Sequence, residues 1–491
     1  MPTIGRYGIV LAIASALMAS AASAQELLPP LPNSGNFLDV SADAPEDELT
    51  RRLKALEAEW EAHKLKLSSE KIAADQKAKQ KELDGKKKPT MKINGRIHLD
   101  YWAFPEATPG IGYFEHPASM PPNAQQGQDP EDRFAFRRVR LEMKGDLLES
   151  MLYRLQVDFA DPSDPAIKDV YIGFRDLPYN QELLIGNQKR PLGLDALNSS
   201  RFNVFLERPF VVEAFNEDAR RLGIAVYGVS DDEFINWRYG VYNLENVSSD
   251  GAYIGDAYQL SLNGRLSISP IYECDGARYL HMAIAGVVAH PNGDANSMSS
   301  NSNEGRFRTR PEARSSNRWL DTGAISGAFA YEILGLEMMY NDGPFQLTSE
   351  YQFNWTQRSG GRQDVMFHGA YVYASYFLTG EHMAYDRASG TLDRVKVKNN
   401  FFCVDNLSGQ HGTGLGAWQV AARYSYLDVS DGDIFGGVGH SGTLAMNWHW
   451  NDYAKVQFNA IYGAIDDHKD VGGGYTGGDY WILGTRFAVD F

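Results

Sequence analysis

FAFRRVRLEMK, residues 134–144, alternates with a period of two. Val139, Leu141 and Met143 fall on one side of an extended chain. Arg138, Arg140, Glu142 and Lys144 fall on the other, because successive strand residues point to opposite faces. One wall is greasy and the other strongly charged. Alternation alone does not say which medium meets the greasy wall. A soluble sandwich strand with a solvated charged face fits it. So does a membrane barrel whose charged wall lines a water-filled, anion-attracting lumen.

The rest of the chain favours the barrel. LYRLQVDFA (152–160) puts Tyr153, Leu155, Val157 and Phe159 on one face, with Arg154, Gln156 and Asp158 on the other. FQLTSEYQFNW (345–355) and YWILGTRFAVDF (480–491) alternate in the same way. Many such strands are about ten residues long, which a tilted strand needs to cross a bilayer. Joins at Gly145-Asp146 and Asn451-Asp452 look short, while 103–133, 290–319, 385–400, 428–440 and 464–479 are long and polar. Short turns at one end and long loops at the other mark outer-membrane barrels. Tyr101, Trp102, Trp355, Trp448, Trp450, Tyr480 and Trp481 lie near strand ends, where interfacial aromatic belts form. About 400 residues at roughly 25 per strand predict an all-β, transmembrane antiparallel β-barrel of sixteen strands over 91–491, wide enough for an aqueous channel.

Before the barrel the character changes. Residues 1–24 read as a signal peptide, with Arg6, an apolar run at 8–18 and the cleavage site Ala22-Ser23-Ala24. That run is too short to span a bilayer, and no later stretch has 18 apolar residues in a row. Any membrane crossing must therefore use strands. Residues 25–45 are a Pro-rich linker. Over 46–88 the pattern turns helical, with Leu49, Leu53, Leu56, Trp60, His63 and Leu67 alternately four and three apart. This describes either a short coiled coil or one solvated, charged helix, and Pro89 stops it.

Several functions are excluded. A formal net charge of -16 argues against nucleic acid as a partner. It leaves an anion pathway open, because the few charges at the narrow part set selectivity. The scattered histidines form no HExxH, and neither GxSxG nor a nucleotide loop is present. No metal, cofactor or enzymatic activity is expected. Cys274 and Cys403 form one disulfide or stay as two free thiols.

FRRVRLEMKGDL, YRLQVDFA, IKDVYIGF and the run from ELLIGNQKR to FVVEAF together resemble the phosphate-selective porin O and P family. RTRPEARSSNRWLDTGAI (307–325), SEYQFNWTQR (349–358) and the closing strands extend the resemblance over about 91–491. It implies a trimeric outer-membrane porin, set in lipid, that passes phosphate or polyphosphate along arginines and lysines. An N-terminal coil such as 46–84 often accompanies the family. A general or other-anion porin is one alternative. A barrel that contacts the cell wall through 46–84 is another.

The candidate pathway has two groups. On lumen-facing strand positions lie Arg138, Arg140, Lys144, Arg154, Arg221 and Arg265. In loops lie Arg201, Arg208, Arg308 and Arg310, with Arg306, Arg314 and Arg318 nearby. Arginine suits the task because its planar fork binds phosphate with two bonds and never loses its proton. The competing reading for the strand group is ion pairing to acids such as Glu142 and Asp158. For the loop group it is an outer-surface position or lipopolysaccharide phosphate.

Overall fold

The computed structural model describes residues 46–86, 88–121, 125–247, 258–292, 303–402, 404–405 and 411–491. The expected signal peptide and linker, and Cys403, lie outside them. Cys274 is exposed and carries a free thiol.

The chain forms two units, divided between Asp84 and Gly85. A single helix, α1, runs over Glu46–Lys86, all but its last two residues in the first unit. Leu53, Leu56, Trp60 and Leu67 of its seam are all exposed.

The second unit is a closed barrel of sixteen antiparallel strands, each bonded to its neighbour in sequence. The first eight are β1 (Lys92–Ala107), β2 (Arg133–Leu147), β3 (Met151–Asp158), β4 (Ala166–Leu177), β5 (Gln181–Lys189), β6 (Arg220–Val229), β7 (Ile235–Asn243) and β8 (Leu260–Glu273). The others are β9 (Arg278–His290), β10 (Ala328–Asp342), β11 (Phe345–Arg358), β12 (Val365–Phe377), β13 (Ala417–Asp431), β14 (Ile434–Asn451), β15 (Ala454–His468) and β16 (Gly478–Asp490). β16 closes onto β1 through pairs such as His98 with Ala488 and Tyr101 with Thr485.

The alternation read from sequence sets the two walls. Leu141 and Leu155 face outward, whereas Arg138, Glu142, Gln156 and Asp158 are buried inside. Trp481, Leu483, Phe487, Val489 and Phe491 are exposed together on the closing strand. Two expected belt residues do not join it. Trp102 and Tyr480 are each 1% exposed and point inward. Each is adjacent in sequence to an aromatic that faces out, Tyr101 or Trp481, and adjacent strand residues cannot share a face.

The turns also differ from expectation. Gly145 and Asp146 are paired with Tyr153 and Leu152, so β2 continues through them and the turn follows at Leu148, where φ is 62°. Residues 428–440 are no loop. Asp428 pairs with Val438 and Asp431 with Ile434, closing a two-residue turn at Gly432, whose φ of 60° suits glycine. The segment around 385–400 belongs to the β12–β13 connection, residues 378–416. That connection leaves from the end of the barrel that otherwise carries the short turns.

A conventional apolar core sits inside the barrel. It is built by loops that fold inward against the β8–β16 side. The β5–β6 connection, 190–219, carries α2 (Leu194–Leu197) and α3 (Phe210–Phe215). It buries Leu194, Val204, Phe205, Leu206, Phe210 and Phe215. The β9–β10 connection adds Phe307, Trp319, Leu320 and Ile325. Buried carboxylates hold these loops. Glu350 accepts the backbone N–H groups of Leu194 (3.0 Å) and Asp195 (2.7 Å), and the Tyr371 hydroxyl (2.6 Å). Glu312 accepts the N–H of Phe210 (3.2 Å), Arg423 Nη2 (2.7 Å), and the hydroxyls of Ser441 (2.8 Å) and Thr443 (3.3 Å).

The β12–β13 connection forms a strap across the inside. Asn236 and Arg238 of β7 donate to the carbonyls of Ala388 and Ser389, and Arg265 of β8 to that of Gly390 at 3.1 Å. Leu392 N–H donates to Asn198 Oδ1 at 2.9 Å. Arg394 then pairs with Asp490 at the end of β16.

Candidate functional site

The loops fill one side of the barrel and leave a cavity of about 860 Å³ along the β1–β7 wall. Register brings the cations together there. Arg96 of β1 lies beside Arg140 of β2, and His98 beside Arg138. Lys189 of β5 lies beside Arg220 of β6. Thirteen Lys and Arg side chains line the cavity against eight carboxylates. The lining is therefore cationic in a chain whose formal net charge is -16.

These cations fall into two classes. Eight have a carboxylate within ion-pairing distance. Arg140 meets Asp158 at 2.6 Å, Arg154 meets Glu142 at 2.5 Å, and Arg220 meets Asp169 at 2.9 Å. Arg137 meets Glu207 at 2.7 Å, Arg208 meets Asp195 at 3.2 Å, and Arg310 meets Glu213 at 3.2 Å. Lys168 lies 3.7 Å from Asp218, and Arg318 pairs with Glu217. The other five, Arg96, Arg138, Lys189, Arg238 and Arg314, have no carboxylate partner among the described residues. Arg96 donates to Ser200 Oγ at 2.9 Å. Arg138 Nη1 lies 3.3 Å from His98 Nδ1, and its Nε has no partner. Lys189 donates to the carbonyls of Leu197 and Asn198, both at 2.8 Å.

The loop groups keep their charges. Burial pushes the Glu207 carboxyl up, but Arg137, Arg486 and Arg138 outweigh it and hold it well below the usual range. Burial, with the Arg137 and Arg310 guanidinium groups, lowers Arg314 to about 10, so it remains charged at neutral pH. Fixed cations in a partly desolvated cavity can replace water around an anion that enters.

Of the ten residues singled out from sequence, Arg138, Arg140, Arg154, Arg208 and Arg310 line this cavity. The other five lie elsewhere or are held by other partners. Arg221 donates to the carbonyls of Leu244, Asp218 and Arg220. Arg265 is buried on Glu337 at 2.7 Å. Arg308 pairs with Glu217 at 3.0 Å, and Arg201 lies 3.5 Å from Asp490. Lys144 is exposed, 3.6 Å from Glu142. The pathway groups read from sequence left out Arg96, Arg137, Lys168, Lys189, Arg220 and Arg238. Parity carried the signal for Arg96 and Arg238, since Arg96 shares a face with His98 and Asp100, and Arg238 sits between the outward Trp237 and Tyr239.

Among the described residues no group of three His, Cys, Asp or Glu is placed to hold a metal ion.

Residues 119–491 match the family described as phosphate-selective porin O and P. An uncharacterized protein of Caulobacter vibrioides is 28% identical over 337 residues, 67% of this chain. The match spans 62% of that relative's length. Among solved structures, the outer membrane channel DcaP of Acinetobacter baumannii is similar over 82% of this chain and 98% of its own, with TM-score 0.48 and 8% identity. The trimer form of OmpT, an outer membrane protein of Vibrio cholerae, is similar over 82% and 99%, with TM-score 0.44 and 10% identity.

Proposed function

Because this chain belongs to the phosphate-selective porin O and P family, a family of outer-membrane channels, we propose that it passes phosphate or a similar inorganic anion by passive diffusion. The route is the cavity along the β1–β7 wall. The observation that carries this reading is the cationic lining inside an acidic chain. Arg96, Arg138, Lys189, Arg238 and Arg314 are the principal ligands, because no carboxylate among the described residues competes for them. Arg140, Arg154, Arg208 and Arg310 add positive potential while their acids hold them in place. Several moderate sites in series allow transfer, whereas one very tight site would trap the ion.

The wider assignment follows from the same reading. Residues 1–24 are a signal peptide removed on export. The mature chain assembles as a homotrimer, with the exposed seam of α1 forming a parallel coil.

The test is current through the purified mature protein in a planar bilayer. A salt gradient should give a reversal potential of anion-selective sign, and added phosphate should block chloride current. Arg138→Glu with Arg140→Glu should move the reversal potential toward cations. An unchanged potential removes these residues from the pathway. A large, unselective current that phosphate leaves alone indicates a general porin.

A further inference from the structure

The cavity is larger and chemically more varied than a bare phosphate ion requires. Its volume of about 860 Å³ falls in the roughly 300–1,000 Å³ range of pockets that hold drug-sized molecules. One boundary is the cationic wall. Another is the strap, which presents Asp386, Ser389, Thr391 and Asp393 to the same space. The Ser389 and Thr391 hydroxyls lie 2.7 Å apart. Asp386 accepts the Ser389 N–H at 3.3 Å. Asp393 is exposed to the cavity, and its carboxylate has no partner among the described residues.

A carboxylate repels a phosphate dianion, so Asp393 is a liability if the cargo is phosphate alone. The same oxygen is a strong acceptor for a hydroxyl, since O–H···O⁻ bonds are short and roughly twice as strong as neutral ones. Cations, hydroxyls and acceptor carboxylates around one cavity match a molecule with a phosphate at one end and hydroxyls along its body. Tyr171 lines the cavity as well and gives a ring face against which such a body can lie.

We propose that the cavity binds and passes phosphomonoesters of polyhydroxylated carriers, of which sugar phosphates are the simplest. The phosphate sits on the unpaired cations Arg96 and Arg138, and the hydroxyls donate to Asp393 and Asp386. This deepens the anion-porin reading and rests on it.

The experiment compares block of chloride current by glucose 6-phosphate and by inorganic phosphate, in the full mature protein and in Asp393→Asn. Chloride conductance of the variant without phosphate reports correct insertion. Glucose 6-phosphate should block at a concentration about tenfold below phosphate, the gain of one hydrogen bond to a charged group. Asp393→Asn should bring the two blocking concentrations together. Phosphate block without glucose 6-phosphate block, or a ratio that Asp393→Asn leaves unmoved, overturns this inference and leaves the phosphate reading standing. If neither compound blocks, the anion site itself is wrong and this inference goes with it.

Discussion

Arg138 and Arg140 are two residues apart on one strand and face the same cavity, yet their surroundings differ. Arg140 is held by Asp158 at 2.6 Å, which takes its Nε–H and balances its charge. Arg138 has no carboxylate within ion-pairing distance among the described residues, and its Nε is unpartnered. A charge-assisted hydrogen bond to an anion contributes about 1.5–3 kcal/mol. Arg138→Gln should therefore weaken phosphate block about tenfold or more, and Arg140→Gln clearly less. Equal loss in both would mean that the wall acts as diffuse charge and not through particular donors. The distinction between the two arginines was not legible in the sequence. Parity placed both on the lumen face, and it also placed Arg154 and Arg221 there. What parity could not supply was the cross-strand register that sets Arg140 opposite Asp158, or the loop carbonyls that occupy Arg221.

At the scale of elements, the strands were legible and the connections were not. A strand between lipid and water must alternate, so β2, β3, β11 and β16 announced their faces. The connections obey no such rule. The stretch DVSDGDIFGGVGH (428–440) is glycine-rich and polar, which reads as loop. In the barrel it lengthens β13 and β14 beyond their apolar portions and needs only a two-residue turn. The inward fold of 190–219 was equally hidden, because its apolar residues match an interior that exists only once the loops meet. Glu312 is where they meet. It joins α3 of the β5–β6 connection to Arg423, Ser441 and Thr443 of the wall. Removing one partner of a buried ion pair costs about 3–5 kcal/mol, because the other charge is left uncompensated. Glu312→Ala should therefore release the inward loops while the barrel stays closed. Trypsin should then cut the folded protein at Arg314 or Arg318, and single-channel conductance should rise. Resistance to trypsin at wild-type level, with unchanged conductance, would mean that the apolar packing of Phe210 and Trp319 holds the loops without this carboxylate.

At the scale of the molecule, the charge distribution decides what kind of selectivity the protein can have. The chain is acidic overall, while the cavity lining is cationic. Two mechanisms would make such a barrel prefer anions, and salt separates them. Charges at a wide mouth act through solution over a Debye length, about 10 Å at 0.1 M and about 3 Å at 1 M. Charges that line a narrow cavity meet the ion at contact, where added salt screens them far less. The unpaired cations here are inside, on β1, β2, β5 and β7 and on the inward loop that carries Arg314. The anion-to-cation permeability ratio, read from zero-current potentials under a fixed concentration ratio, should therefore persist when mean salt is raised from about 0.1 M to about 1 M. A ratio that falls to unity at high salt would assign selectivity to the rims, and the five unpaired cations would then be structural. A ratio that holds in the wild type but falls in Arg96→Gln with Arg138→Gln would tie the selectivity of the molecule to two side chains on its first two strands.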